Sequence, residues 1–223
     1  MSRPIESADE IGAVVFDWGG VILQICRSWE EGCRRAGVEH RDRPGGEAMD
    51  LERRRLNELY QTGKIDCDTF FRAISETTGG RYSVDEVVRI HDAWLVQEYA
   101  GVRELIAELN QSGRVATGLL SNTSHRHWLR HMPGGRGVAD FPTIGLLTHK
   151  HASHLLGLAK PHAEIHRAFE RESGFGPSQI LFFDDLAENI AGARAAGWQA
   201  HQVDHTGDTA TQMRAALRER GLL

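Results

Sequence analysis

The sequence predicts an α/β protein, with a doubly wound parallel sheet as its core and a small helical domain inserted after the first strand. Two observations carry this. Three short apolar runs, far apart in the chain, each end on polar residues: 11–16 on Asp17, 115–120 on Ser121 and 180–183 on Asp184. Amphipathic helical patterns lie between and after them, and strands alternating with helices build a parallel sheet covered by helices.

In the first run Val14, Val15 and Phe16 are consecutive and β-favouring, the pattern of a strand buried on both faces, and Gly19 and Gly20 then break it. Residues 25–96 read differently, with helical patterns and no convincing buried strand. Ile25, Trp29 and Cys33 share a face that stops near Gly37; Leu56, Leu59 and Tyr60 share another; Phe70 and Ile74 a third. Ser83 and Glu86 have capping-box spacing ahead of Val87, Ile90 and Trp94. Residues 41–46 read as a loop, and the crossings near Leu23 and Tyr99 as hinges. Beyond them, Val102, Leu105, Ile106 and Leu109 have the spacing of an amphipathic helix, Ile165, Ala168 and Phe169 mark one opening after Pro161, and Ala210, Met213 and Leu217 mark the last.

Composition narrows the partners. The chain has 223 residues, 40% hydrophobic and 26% charged, ordinary for a globular core. A formal charge of −5 argues against nucleic acid as a partner, since binders of nucleic acid carry a basic face. No run of about 18 apolar residues suggests a membrane span, and the first residues are not an apolar signal segment. Cys26, Cys33 and Cys67 fit no zinc or disulfide framework, so reduced thiols and a cytoplasmic setting are expected.

In a parallel sheet, ligands bind beyond the carboxyl ends of the strands, which is where Asp17, Ser121, Asp184 and Asp185 fall. A carboxylate at such a tip, followed by glycines, can approach a phosphorus atom closely, but only if a cation offsets their repulsion. Mg²⁺, with its preference for oxygen ligands, suits Asp17 together with the adjacent acids Asp184 and Asp185. Ser121 offers a hydroxyl and Asn122 an amide to phosphoryl oxygens, and Lys160 brings a compact positive charge. Together these parts make a phosphoryl-transfer site.

The order and wording of the segments resemble the haloacid dehalogenase-like superfamily. The first reads Val15-Phe16-Asp17-Trp18-Gly19-Gly20-Val21, the second Leu119-Leu120-Ser121-Asn122-Thr123, the third Lys160-Pro161, and the fourth Phe182-Phe183-Asp184-Asp185-Leu186-Ala187-Glu188-Asn189-Ile190. The resemblance spans nearly the whole chain and is nearest to the branch of small sugar-phosphate phosphatases and the N-terminal domain of soluble epoxide hydrolase. It implies a Rossmann-like catalytic core over 1–24 and 97–223, a helical cap over 25–96, and a small phosphorylated metabolite as substrate. It implies that Asp17 is the nucleophile and a Mg²⁺ ligand, with Gly19 offering its carbonyl and Asp184 and Asp185 completing the metal site. Ser121 and Asn122 would bind the phosphoryl group, Asn189 would touch the phosphate or orient the loop, and Lys160 would neutralise the phosphoryl group and hold Asp17.

The sequence departs from that pattern at Gly19, where the family's phosphatases usually carry an aspartate that protonates the leaving oxygen. Two alternatives therefore stay open: a catalytically weak or inactive phosphate-binding regulatory protein, and a haloacid dehalogenase. The dehalogenase chemistry needs no metal, so the acidic pair counts against it. The histidine clusters 125–131 and 149–154, the His162/His166 pair and the run Arg53-Arg54-Arg55 read as solvated faces, although His125 and His127 stand close enough to the second motif to reach a substrate. Trp18 is expected either to pack against the cap or to line the substrate pocket.

Overall fold

The computed structural model describes residues 10–41, 47–132 and 138–223. The N-terminal residues 1–9, and residues 42–46 of the loop expected at 41–46, lie outside the described residues. Strand β1 (Ala13–Phe16) leads to a short β2 (Leu23–Ile25) and then to helices α1 (Trp29–Ala36), α2 (Glu47–Gln61), α3 (Cys67–Thr77) and α4 (Val84–Asp92). Strand β3 (Leu95–Glu98) returns the chain to α5 (Val102–Ser112), β4 (Ala116–Ser121) and α6 (His125–Trp128). Then come β5 (His149–Ala152), α7 (Ser153–Leu156), α8 (Ala163–Ser173), β6 (Ile180–Asp184), α9 (Ala187–Ala195), β7 (Gln199–Gln202) and α10 (Thr209–Glu219).

The main sheet has the order β5-β4-β1-β6-β7 with every pairing parallel. Successive side chains of a strand point to opposite faces, and two cores form accordingly. Val14, Phe16, Leu119, Leu181 and Phe183 pack on the α5 and α10 side; Val15, Leu120, Ile180 and Phe182 pack on the α8 and α9 side. Each fully buried ring or branched chain contributes roughly 1.5–3 kcal/mol in transfer free energy, so the three central strands are held from both faces.

The edge strands β5 and β7 were not expected from the sequence, because neither is an apolar run. β5 reads His-Lys-His-Ala, and His151 is not solvated as expected: it is buried against Phe169 at 4.7 Å with Nδ1 3.1 Å from Glu172. His166 is likewise corrected, lying fully buried 4.9 Å from Trp198.

The two expected hinges form a ribbon. β2 and β3 pair antiparallel, so Ile25 belongs to a strand rather than to the first helix. Glu98 ties the ribbon to the core by accepting from the Thr143 amide at 2.8 Å and hydroxyl at 2.6 Å. The helices between them have local reasons to form. Ser28 caps α1, which ends on Gly37 at φ 63°, and Ser83 and Glu86 close the expected capping box on α4. These helices bury their own cluster, including Tyr60, Phe70, Phe71, Tyr82 and Ile90, apart from the sheet's two cores.

Candidate active site

Parallel pairing in register brings the motif residues to one edge. Phe16 stands opposite both Leu119 and Phe183, so the residues that follow, Asp17, Ser121 and Asp184, meet at the carboxyl ends of adjacent strands. Asp17 continues the ladder by donating its amide to the Phe183 carbonyl at 2.8 Å. The chain then turns sharply, with the Trp18 carbonyl accepting from the amides of Ile22 at 3.0 Å and Leu23 at 2.8 Å. Gly20 sits inside this turn at φ 84°, and a Cβ there would fall 2.4 Å from the Asp185 carboxyl group. Only glycine fits the conformation and the contact together.

Lys160 is the hub. Its buried ammonium lies 2.9 Å from Asp17 Oδ1 and 2.6 Å from Asp184 Oδ2. Asn122 holds the lysine's backbone, accepting from its amide and donating to its carbonyl, each at 2.9 Å. Asn189, expected to orient the loop or touch the phosphate, donates to both carboxylate oxygens of Asp184 at 3.0 Å, and the Leu186 amide donates to Oδ1 at 2.9 Å. Asp184 is thus fixed from three sides. Asp185 is paired with Arg27 Nη1 at 2.7 Å, with His205 Nδ1 3.6 Å away. The Ser121 hydroxyl acts to lower Asp17, favouring its anionic form.

The electrostatics favour a cation. Burial pushes Asp17 up to about 6; Lys160 opposes that and Asp184 reinforces it. Burial also works to lower Lys160, but attraction to Asp17 and Asp184 outweighs it and raises the ammonium. Asp17, Asp184 and Asp185 each present an oxygen within 4.8 Å of the others, all buried. Three buried acids in that space, with an all-oxygen donor set, fit a hard divalent cation of the Mg²⁺ class. Burial is the chief reason that Asp17 is raised, and a cation beside it would act against that shift.

A cavity of about 470 Å³ opens between these tips and the inserted helices. Gly19, Ser121 and Asn122 line its catalytic end. Trp18 lines it as well, yet packs against the core rather than the helices, edge-on to Trp128 at 6.3 Å and Phe141 at 6.2 Å. Sequence reasoning missed three of its wall residues. Arg53, expected on a solvated face, is 9% exposed and faces the cavity, whereas Arg54 and Arg55 are exposed. Its signal is helical spacing with Asn57 and Gln61, also on the wall. Arg27 lies two residues beyond β2 and gives no signal of its own. His91 stacks on His127 at 3.7 Å, and His127 Nε2 donates to the His91 carbonyl at 2.7 Å. Burial pushes His91 well below its usual range and His127 down to about 4, so both are neutral imidazoles near pH 7. His125 is exposed.

Comparison with known proteins agrees with this layout. A family model described as haloacid dehalogenase-like hydrolase matches residues 11–197. A phosphatase from Mycobacterium tuberculosis is 30% identical over 207 residues, covering 89% of this chain and 90% of that protein. A D-ribitol-5-phosphate phosphatase from Bacteroides thetaiotaomicron is 27% identical over 220 residues, covering 92% and 97%. Among solved structures, a HAD family enzyme from Bacteroides thetaiotaomicron in complex with magnesium and inorganic phosphate superposes with a TM-score of 0.68 at 20% identity, covering 92% of this chain and 100% of that one. An L-2-haloacid dehalogenase from Xanthobacter autotrophicus gives 0.60 at 19% identity, covering 96% and 84%.

Proposed function

Because the chain belongs to the haloacid dehalogenase-like hydrolases, we propose that it is a magnesium-dependent phosphatase that hydrolyses a small phosphomonoester through an aspartyl-phosphate on Asp17. The observation that carries this reading is the buried set Asp17, Asp184 and Asp185 around Lys160 at the sheet's edge. The shared fold does not decide between phosphatase and dehalogenase, since both kinds of neighbour superpose on it. The acids do. A metal-free displacement has no use for three buried carboxylates in one small space, and a phosphate dianion needs the cation that they hold. The relatives at 30% and 27% identity are named as phosphatases, which supports the same choice.

Asp17, Asp184, Asp185 and the Gly19 carbonyl would hold Mg²⁺, which when bound supplies charge neutralisation of the phosphoryl oxygens. Asp17 attacks phosphorus as the ester oxygen departs with its electron pair and takes a proton from solvent; water then attacks the phosphorus of the acyl phosphate, giving a proton back to solvent, releasing inorganic phosphate and restoring Asp17. Lys160 offsets charge on Asp17 and the phosphoryl group, and Ser121 donates a hydrogen bond at the same end. Asn122 and Asn189 position Lys160 and Asp184. Residues 25–96 form a cap over the core of 1–24 and 97–223, shedding water from the phosphoenzyme when closed. No described helix is long and apolar enough to cross a membrane, and the free thiols Cys26, Cys33 and Cys67 suit a reducing cytoplasm.

The test is turnover of 4-nitrophenyl phosphate and a sugar-phosphate panel, with Mg²⁺ and after dialysis against EDTA, beside Asp17→Asn. Metal-dependent turnover that the variant lacks is expected. Full activity in EDTA, or more than about a tenth of it in the variant, overturns the mechanism.

A further inference from the structure

Asp185 is held from the inserted segment. It lies just past β6 in the core, with its side chain 2% exposed, yet the guanidinium nitrogen 2.7 Å from its Oδ2 belongs to Arg27, which stands between β2 and α1. His205 Nδ1 lies 3.6 Å from the same oxygen. Both groups gather at Oδ2, so one oxygen of this carboxylate is engaged by the protein.

The chain is pinned on both sides of Arg27. Before it, the Cys26 amide donates to the Trp94 carbonyl at 2.9 Å, which extends the ribbon by one residue. After it, Ser28 caps α1 by accepting from the Glu31 amide at 3.1 Å, and the Glu31 carboxylate accepts from the Arg27 amide at 2.9 Å. The guanidinium and the Asp185 carboxyl group close over Gly20, where a Cβ would meet Asp185 Oδ2 at 2.4 Å and Arg27 Nη2 at 2.5 Å. A planar guanidinium seated in this way restrains the carboxylate more firmly than a flexible ammonium could.

We propose that Arg27 is a positioning residue that restricts Asp185 to one oxygen in the metal site, and that this restriction favours Mg²⁺ over Ca²⁺. The argument is the chemistry of the two ions. Mg²⁺ demands near-ideal octahedral geometry, whereas Ca²⁺ accepts more ligands in flexible geometry and takes carboxylates by one oxygen or by both. Holding Oδ2 on Arg27 withdraws the second oxygen, and with it a mode of coordination that suits the larger ion. The inference rests on the metal-dependent phosphatase reading above and adds to it how the chain selects its cation.

The test is titration calorimetry of the full-length chain with Mg²⁺ and with Ca²⁺, and the quantity read is the ratio of the two dissociation constants. Arg27→Met should shift that ratio towards Ca²⁺ by at least about tenfold, within the range by which losing an outer partner changes metal affinity. Arg27→Gln, whose side chain is too short to reach Oδ2, should repeat the shift if the methionine variant does not fold. Arg27→Lys keeps the charge and a donor and should fall between. Removing a positive charge strengthens the binding of both dications alike, so the ratio isolates the freed oxygen. In an Asp185→Asn background, where the second oxygen is already gone, Arg27→Met should leave the ratio within about twofold. A ratio that stays put in Arg27→Met and Arg27→Gln overturns the inference, as does one that moves just as far in the Asp185→Asn background. Unaltered selectivity beside Mg²⁺-dependent turnover of 4-nitrophenyl phosphate removes this inference and leaves the phosphatase reading standing. Selectivity that depends on Arg27, in a chain that hydrolyses no phosphate ester, does the reverse. A wild type that binds neither ion overturns both.

Discussion

Asn122 grips Lys160 by both of its backbone polar groups, accepting from the amide and donating to the carbonyl at 2.9 Å each. That pair of bonds fixes the base of the side chain whose ammonium reaches Asp17 and Asp184. Both polar atoms of the Asn122 side chain are thereby engaged by the lysine's backbone. Asn122→Ala should lower kcat by up to about 100-fold, the scale of loss that misplacing a catalytic group by about 1 Å can bring. It should also move the acid limb of the pH–rate profile to higher pH, because Lys160 is what restrains Asp17. A profile that drops uniformly, with its limb unmoved, would leave Asn122 a structural residue only.

The pH dependence of stability carries the mark of Asp17. In the folded, metal-free chain its carboxyl is pushed up to about 6 by burial, above the ordinary 3.8 that it regains on unfolding. Between those values the folded chain holds a proton that the unfolded chain has released, so stability falls as pH rises through that window. Asp17→Asn cannot ionise and escapes this loss. In EDTA the variant should therefore melt above the wild type at pH 7, with the gap closing towards pH 4. Mg²⁺ should raise the wild type at pH 7 and leave the variant nearly unchanged. Scanning calorimetry at several pH values reads both effects, and a variant melting below the metal-free wild type at pH 7 would contradict this cost of burying the Asp17 carboxylate.

Gly20 should tolerate nothing larger. At φ 84° an alanine costs roughly 1–2 kcal/mol from the backbone alone. Its Cβ would also stand 2.4 Å from the Asp185 carboxyl group and 2.5 Å from Arg27 Nη2. Asp185 must then retreat from Asp17, and Mg²⁺ affinity should fall at least about tenfold, the scale of losses on disturbing a metal's supporting shell. Titration calorimetry with Mg²⁺ on Gly20→Ala decides it; unchanged affinity would place the metal away from Asp185.

The catalytic edge of this site is legible in the sequence because Asp17, Ser121 and Asp184 each end an apolar run, and a parallel sheet gathers such ends. The edge strands are not legible. β5 and β7 are built from His149, Lys150, Gln199 and Gln202, and only their place beside β4 and β6 makes them strands. Arg53 is hidden by its neighbours, since a run of three arginines looks solvated until the helix is rotated into place and one of them faces Trp29. Asn189 shows a further limit. A motif says that an amide is wanted near the acids, and only the fold tells that it serves Asp184.

Gly19 bears on which leaving groups the site can expel. It lines the catalytic end of the cavity and brings no side chain to protonate a leaving oxygen. His127 does not replace it, being a neutral imidazole whose Nε2 proton is committed to the His91 carbonyl. General acid help is worth about 10²–10⁴ in rate, so the protein should favour aryl, acyl and anomeric phosphates over simple alkyl phosphates. Gly19→Asp should restore that help most for the poorest leaving groups. The structure names the obstacle: the new Cβ would stand 3.0 Å from Ile25 Cδ1. That atom is the tip of a side chain, so Gly19→Asp combined with Ile25→Val, which deletes it, should outperform Gly19→Asp alone. The measurement is log rate against leaving-group pKa, with phosphorylation rate-limiting, for the wild type and both variants. A steep wild-type slope that flattens in the double variant is expected. An equally shallow slope in all three would mean that a bound water or His125 already delivers the proton, and that the glycine at this position carries no catalytic penalty.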